Sequence, residues 1–137
     1  MITDYKITPT DIELWTSVLW CSSDSDGNPL DSEHSIQDVE PSDLARLNAD
    51  YWQFRDRADA VLIEHGRGDA SLDDLWYQLA HLFVLVREGH GVSFTDDWFP
   101  GSRTHAIALQ LDRIARSYPP IGAHAEPTGR NVYCSFC

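Results

Sequence analysis

The feature that most constrains the fold is a long amphipathic segment from about Pro41 to Glu64. Its apolar residues recur at intervals of three and four, which is the spacing of one face of an α-helix. The opposite face is charged, and the two glycines of HGRGD follow the segment and favour a helix end. We therefore expect one long helix, whose apolar stripe other elements must cover. The stripe consists of Leu44, Leu47, Tyr51, Phe54, Ala58, Val61 and Leu62.

A second helix is predicted near the start of the chain. Thr8 precedes a proline at the first helical position, and Asp11 stands three residues after Thr8, which is the pattern of a capping box. The run WTSVLW inside this segment is also β-prone. A strand from Glu13 to Cys21 is therefore the alternative to a helix that ends near Cys21.

Two further helices are predicted in the second half of the chain. The box Ser71-x-x-Asp74 opens a short helix with inward leucines. Residues from about Arg103 to Ser117 carry apolar side chains at helical spacing, and Pro119 and Pro120 stop that helix.

The β-structure is predicted from two short runs joined by glycines. LFVLVR indicates a buried strand and GVSFTD its partner, so that a hairpin spans about residues 82–96. A final strand is expected in RNVYCSF, after Thr128-Gly129. The predicted fold is a single α+β domain over residues 1–137. Its small antiparallel sheet, made of this hairpin and the C-terminal strand, packs against three or four helices.

The charge of the chain is strongly acidic and unevenly distributed. The formal net charge is −12, and it comes from residues 1–74, while residues 75–137 are balanced. Such a surface repels phosphates, so direct binding of nucleic acid or an anionic membrane is not expected. A basic protein surface is the better partner, and a role in solubility alone is the alternative. No apolar run is long enough to span a bilayer, and no secretory signal is visible, so we expect a cytoplasmic protein.

The hairpin carries the candidate site for a ligand or a partner. Its residues are Arg87, His90, Asp96, Asp97 and Trp98. A carboxylate close to a histidine raises the pKa of the imidazole and suits it to acid–base work. Trp98, in a polar loop, is the tryptophan best placed to anchor a partner. The alternative is structural, with Arg87 and Asp96 pairing across the strand ends and His90 packing on the turn.

No metal or other cofactor is predicted. His81, His90, His105 and the two aspartates of the hairpin are ligand types, but their spacing matches no compact metal motif. The C-terminal Cys134-Ser-Phe-Cys137 lacks the helix that a redox motif would precede and a second cysteine pair for zinc. Together with Cys21, these cysteines are expected to be reduced thiols.

The stretch FVLVREGHGVSFTDD resembles a motif of small proteins encoded by tailed bacteriophages and prophages, which carry a run such as DFWLTRNGHGAGFWDR. This chain departs from the motif at Val86, Ser93 and Thr95. The resemblance implies a phage origin and a shared fold, but no chemistry, because the family has no established activity. The matching positions are Phe83, Leu85, Arg87, Gly89, His90, Gly91, Phe94 and Asp96.

These observations predict a non-enzymatic phage accessory protein that binds and modulates a host component in the cytoplasm of an infected bacterium. Its most specific version is an acidic, DNA-mimicking inhibitor of a defence system. The alternative is a protein that binds a small molecule or nucleotide, or a small hydrolase, and uses Arg87, His90 and Asp96.

Overall fold

The computed structural model describes residues 5–24, 26–64, 76–94, 105–125 and 131–136. In these ranges the chain forms four α-helices and one two-stranded antiparallel sheet, so the predicted α+β class is confirmed. Two 3-10 turns also lie between the first two helices, at Leu30–Ser32 and Ile36–Asp38. The named elements are α1 (Pro9–Cys21), α2 (Pro41–Glu64), α3 (Trp76–Arg87), α4 (His105–Arg116), β1 (Ala123–Ala125) and β2 (Val132–Cys134).

Helix α1 begins with the predicted capping box. The Thr8 hydroxyl accepts from the Asp11 N–H at 3.2 Å, and the Asp11 carboxylate accepts from the Thr8 N–H at 2.9 Å. Asp11 is fully buried and also accepts from the Tyr5 hydroxyl and from Asn48 of α2. This cap joins the start of α1 to α2, and the alternative strand over Glu13–Cys21 is wrong because these residues are helical.

Helix α2 is the long helix that the apolar stripe predicts. All seven residues of the stripe are buried, and most of the charged residues of the helix are exposed. Phe54 lies at the centre of an aromatic cluster, with ring centroids 4.7 Å from Phe83 of α3 and 5.8 Å from Phe94. Helix α2 therefore contributes Phe54 to an aromatic cluster that it shares with α3 and the chain after it, while the main helix partner of α3 is α1.

The predicted hairpin over residues 82–96 is wrong. Leu82–Arg87 form the last turns of α3, and Gly89 ends that helix with a φ of +68°. The Gly89 N–H donates to the Val86 carbonyl at 3.1 Å and the His90 N–H to the Leu85 carbonyl at 3.0 Å. This is the hydrogen-bond pattern of a Schellman C-cap, so the glycines end a helix instead of turning a hairpin.

The observed sheet lies at the C-terminal end of the described chain. Strand β1 pairs with β2 in the register Ala123–Cys134, and β2 is the predicted final strand. On its other side β2 contacts the entry to α2, because the Glu40 N–H donates to the Val132 carbonyl at 3.0 Å. The sheet thus fastens the chain before α2 to the chain after α4.

Some predictions fall partly outside the described residues. The Ser71–Asp74 capping box and Asp96 are among them, and α3 is described only from Trp76. The predicted Arg103–Ser117 helix is confirmed as α4 over His105–Arg116. Within the described ranges, no helix combines the length and the apolar character needed to cross a membrane.

Candidate functional site

Arg87, the first residue of the candidate site, lies at the last position of α3 and is buried. Its side chain has no exposed surface. The guanidinium donates twice to the Pro119 carbonyl, at 2.9 and 2.7 Å, and once to Asp50 of α2, at 3.1 Å. It also lies over the rings of Phe83 and Tyr118, 5.3 and 5.1 Å from their centroids. Arg87 therefore joins α2, α3 and the chain after α4.

The electrostatics of Arg87 agree with a structural role. Burial lowers the pKa of its guanidinium, and the charge and hydrogen bond of Asp50 raise it again. Because arginine keeps its proton in proteins, the result is a buried cation that is neutralised by one carboxylate and solvated by one carbonyl. Because the side chain has no exposed surface, a ligand cannot contact the guanidinium in this arrangement.

Glu88, the next residue, has a similar role with the opposite charge. Its carboxylate accepts from the backbone N–H groups of Ile121 and Gly122. Arg87 and Glu88 therefore bind the carbonyl and the N–H groups of one short backbone segment, residues 119–122. No motif in the sequence marks Glu88 as a site residue, and only the structure identifies this role.

His90 lies apart from Arg87. Its side chain is exposed, and its ring centroid is 5.7 Å from that of Trp20 on α1, whereas Arg87 contacts α2 and the chain after α4. Among the described residues, the two side chains have no neighbour in common. Asp96, Asp97 and Trp98 lie outside the described residues. Of the five predicted site residues, the two described ones therefore do not converge.

A second pair of polar residues, Ser17 and His81, lies near Trp20 where α1 meets α3. The sequence indicated His81 only as a ligand type without a metal motif. The Ser17 hydroxyl is 2.8 Å from Nδ1 of His81, and the His81 ring lies 6.0 Å from that of Trp20. His81 keeps an exposed face, and partial burial lowers the pKa of its imidazole; the carboxylate of Glu13 opposes that shift, and the neighbouring His90 adds to it. Ser17 is only 4% exposed, so a substrate cannot reach its hydroxyl, and the pair is a hydrogen bond between two packed helices.

The connection between α1 and α2 is the most acidic part of the described chain. We call residues 22–40 the acidic segment, which contains six Asp or Glu residues and no Lys or Arg. Asp24 and Asp38 bond to the segment's own backbone N–H groups. The other four carboxylates are exposed, and none of them forms an ion pair with a described Lys, Arg or His residue. They are Asp26, Asp31, Glu33 and Glu40.

A groove of about 250 Å³ lies between α1 and the acidic segment. One wall is formed by α1, and the other by the two 3-10 turns and the residues between them. Leu30 of the first turn is fully buried and attaches this segment to the core. The groove is open to solvent and mainly apolar. Its walls include Ile12, Thr16 and Leu19 on α1 and Asp31, His34 and Ile36 on the segment.

The two described cysteines, Cys21 and Cys134, are free thiols. Burial, and then the charge of Glu88, raises the pKa of the Cys21 thiol to about 11. Burial, and then the charge of Asp43, also raises the pKa of Cys134. Cys137 lies outside the described residues. Among the residues that are described, no three His, Cys, Asp or Glu side chains are grouped so as to hold a metal ion.

Comparisons with protein-family models, with curated proteins and with solved structures gave no significant match to this chain.

Proposed function

We propose that the protein is a non-enzymatic binding protein whose acidic segment recognises a basic surface of a partner protein. The observation that carries the proposal is the concentration of six carboxylates, without one Lys or Arg, in residues 22–40. Like charges that are close together raise the free energy of the isolated protein, and a cationic partner relieves that repulsion. The same field steers a basic partner towards the segment and repels nucleic acid.

More specifically, we propose that the protein is a phage accessory protein that binds a host component in the bacterial cytoplasm. The resemblance of Phe83–Asp96 to the phage motif supports this origin. A host protein that normally holds DNA presents a basic surface, and an acidic segment would compete with the DNA for it. A DNA-binding component of a defence system is the partner that best fits both observations.

An enzymatic or small-molecule function at Arg87, His90 and Asp96 has less support. The guanidinium of Arg87 is enclosed by Asp50, Pro119 and aromatic rings, and His90 lies elsewhere, against Trp20. A ligand could reach Arg87 only after these contacts were broken.

The proposal is tested with two variants that carry the same change of net charge. The segment variant contains Asp26→Asn, Asp31→Asn and Glu33→Gln. The α2 variant neutralises three exposed carboxylates of the long helix, with Asp56→Asn, Asp59→Asn and Glu64→Gln. Each protein is immobilised and exposed to a nuclease-treated bacterial lysate, and the retained proteins are identified by mass spectrometry.

We expect the wild type and the α2 variant to retain the same basic protein and the segment variant to lose it. Retention should weaken as salt is added, because salt screens exposed charges. Duplex DNA should displace the protein from its captured partner if the two compete for one surface. Equal retention by all three proteins would contradict the proposal and would leave solubility as the role of the acidic residues.

A further inference from the structure

We infer that the groove between α1 and the acidic segment receives an apolar side chain from a short, basic, amphipathic helix of the partner. This inference rests on the proposed function and adds to it the place and the form of recognition. Amphipathic helices are commonly recognised in this way, with an apolar face in a groove and charged residues at its edges.

The apolar side of this surface is provided by α1. Ile12 is 49% exposed and Trp20 is 52% exposed, although α1 also contributes fully buried residues to the core. Together with Thr16 they follow one another at intervals of four, so they lie on adjoining parts of the outer helix surface. Exposed isoleucine and tryptophan on one helix are costly to hydrate, and their burial against a partner would be favourable.

The groove has a size and a shape that suit a side chain of a macromolecule. Pockets for small molecules usually enclose about 300–1,000 Å³ and bury most of the ligand. This groove has a volume of about 250 Å³ and is partly open to solvent. It can hold part of a larger partner, whose remaining atoms stay outside.

The charge at the groove selects a basic occupant. Asp31 lies in the wall, and the exposed Glu33 follows two residues later. A helix with lysines or arginines beside its apolar face would therefore meet carboxylates along the edge that the acidic segment forms. An acidic helix or a nucleic acid would meet repulsion at the same places.

Trp20 extends this surface towards α3. Its ring lies beside those of His81 and His90, and about half of the residue remains exposed. Large aromatic residues that are already ordered are frequent energetic centres of interfaces, because little conformational entropy is lost on binding. His90 would thus pack against Trp20, the aromatic residue that contacts the partner.

The experiment measures the binding of defined peptides by calorimetry. The probe is a synthetic peptide of leucine and lysine in which the leucines recur at helical spacing. The control peptide has the same composition in an order that spreads the leucines around the helix. The groove variant is Ile12→Ser, and its matched control is Ile63→Ser, since Ile63 is an apolar residue of α2 that is 66% exposed.

We expect the amphipathic peptide to bind the wild type more tightly than the scrambled peptide. The groove variant should weaken its binding by about tenfold, and Ile63→Ser should leave it unchanged. The segment variant should weaken the binding of both peptides. Equal melting temperatures of wild type, Ile12→Ser and Ile63→Ser would establish that the exposed replacements leave the fold intact.

The other outcomes separate this inference from the proposed function. If the segment variant weakens binding while Ile12→Ser does not, the acidic segment binds cations and the groove inference is overturned. If Ile12→Ser weakens binding while the segment variant does not, a basic occupant is excluded. If the wild type binds neither peptide, the groove inference is again overturned, and the lysate capture alone decides the proposed function.

Discussion

Replacing Arg87 by methionine should strongly destabilise the protein. Methionine keeps much of the length and the apolar stem of arginine but removes the charge and all its donors. The Pro119 carbonyl would lose two hydrogen bonds, and Asp50 would lose its nearest cation. Arg87→Lys is the graded variant, because an ammonium keeps the charge but cannot reproduce the forked contact.

The size of the effect follows from the burial of the two partners. Removing one partner of a buried ion pair costs about 3–5 kcal/mol, since the other charge remains without compensation. Here Asp50 is 20% exposed, so water takes over part of the lost interaction. Arg46 also remains, with its Nε 4.0 Å from the Asp50 carboxylate. We therefore expect a loss of about 3 kcal/mol for Arg87→Met, at the low end of that range, and about 1–2 kcal/mol for Arg87→Lys.

The assay is urea unfolding followed by tryptophan fluorescence, together with the melting temperature. A loss of about 3 kcal/mol corresponds to a fall of about 10 °C in the melting temperature of a domain of this size. Asp50→Asn and the double variant Arg87→Met/Asp50→Asn complete a double-mutant cycle. The coupling energy of the cycle measures the interaction between Arg87 and Asp50.

Two results would refute this reasoning. One is a loss below about 1 kcal/mol for Arg87→Met, which would mean that the buried guanidinium is dispensable for folding. The other is an equal loss for lysine and methionine, since the charge would then contribute nothing. Either result, combined with altered binding of a ligand, would restore Arg87 as a candidate functional residue.

Three further predictions concern titratable groups. Because folding lowers the pKa of His81, the unfolded chain binds a proton more readily than the folded one near pH 6.5, and the free energy of unfolding falls as the pH falls through that value. His81→Gln should therefore reduce the difference in the free energy of unfolding between about pH 7.5 and 5.5. Burial raises the pKa of Asp112, but its hydrogen bonds outweigh burial and lower the pKa below 3.8. The ionised carboxylate therefore stabilises the fold above pH 3.8, and this contribution is lost as the pH falls through the lowered pKa. In urea unfolding at neutral pH, Asp112→Ala should reduce the free energy of unfolding by about 1–2 kcal/mol. The raised pKa values predict that Cys21 and Cys134 react slowly with a disulfide reagent in the folded Cys137→Ser variant and quickly after denaturation; fast labelling of the folded protein would contradict this.

The helices were predictable where one signal had a single interpretation. Seven apolar residues at spacings of three and four fit only a helix, and α2 has the predicted bounds. The capping box at Thr8 likewise identified the start of α1 despite the β-prone residues that follow. The capping box depends on local backbone geometry, and the apolar stripe predicts a helix whichever elements cover it.

The hairpin prediction failed because its signals had two interpretations. A short apolar run such as LFVLV fits a buried strand or a helix that is covered on several sides, and the run alone does not distinguish them. The glycines after Arg87 suit a hairpin turn and a helix C-cap equally well. The packing of α3 between α1 and α4 decides the matter, and that packing is a long-range property.

The candidate site was predictable only in part for the same reason. The sequence placed Arg87 beside His90 on the assumption of a hairpin, whereas a helix end directs the two side chains to different neighbours. The acidic excess of the first half was visible from composition. The structure adds that four carboxylates of the acidic segment are exposed and that one of them, Asp31, lies in the wall of a groove. The groove itself arises from elements that meet in space, and no local motif encodes it.

The contacts of Arg87 and Glu88 with backbone atoms have a consequence for how the chain can vary. Both side chains bind carbonyl or N–H groups of residues 119–122, which almost any residue type provides. Substitutions of exposed side chains in that connection should therefore be tolerated, apart from Gly122 with its φ of +64°. An insertion or deletion of one residue would move every carbonyl and N–H out of register with both charges. In a library of variants, this connection should accept changes of composition and reject changes of length.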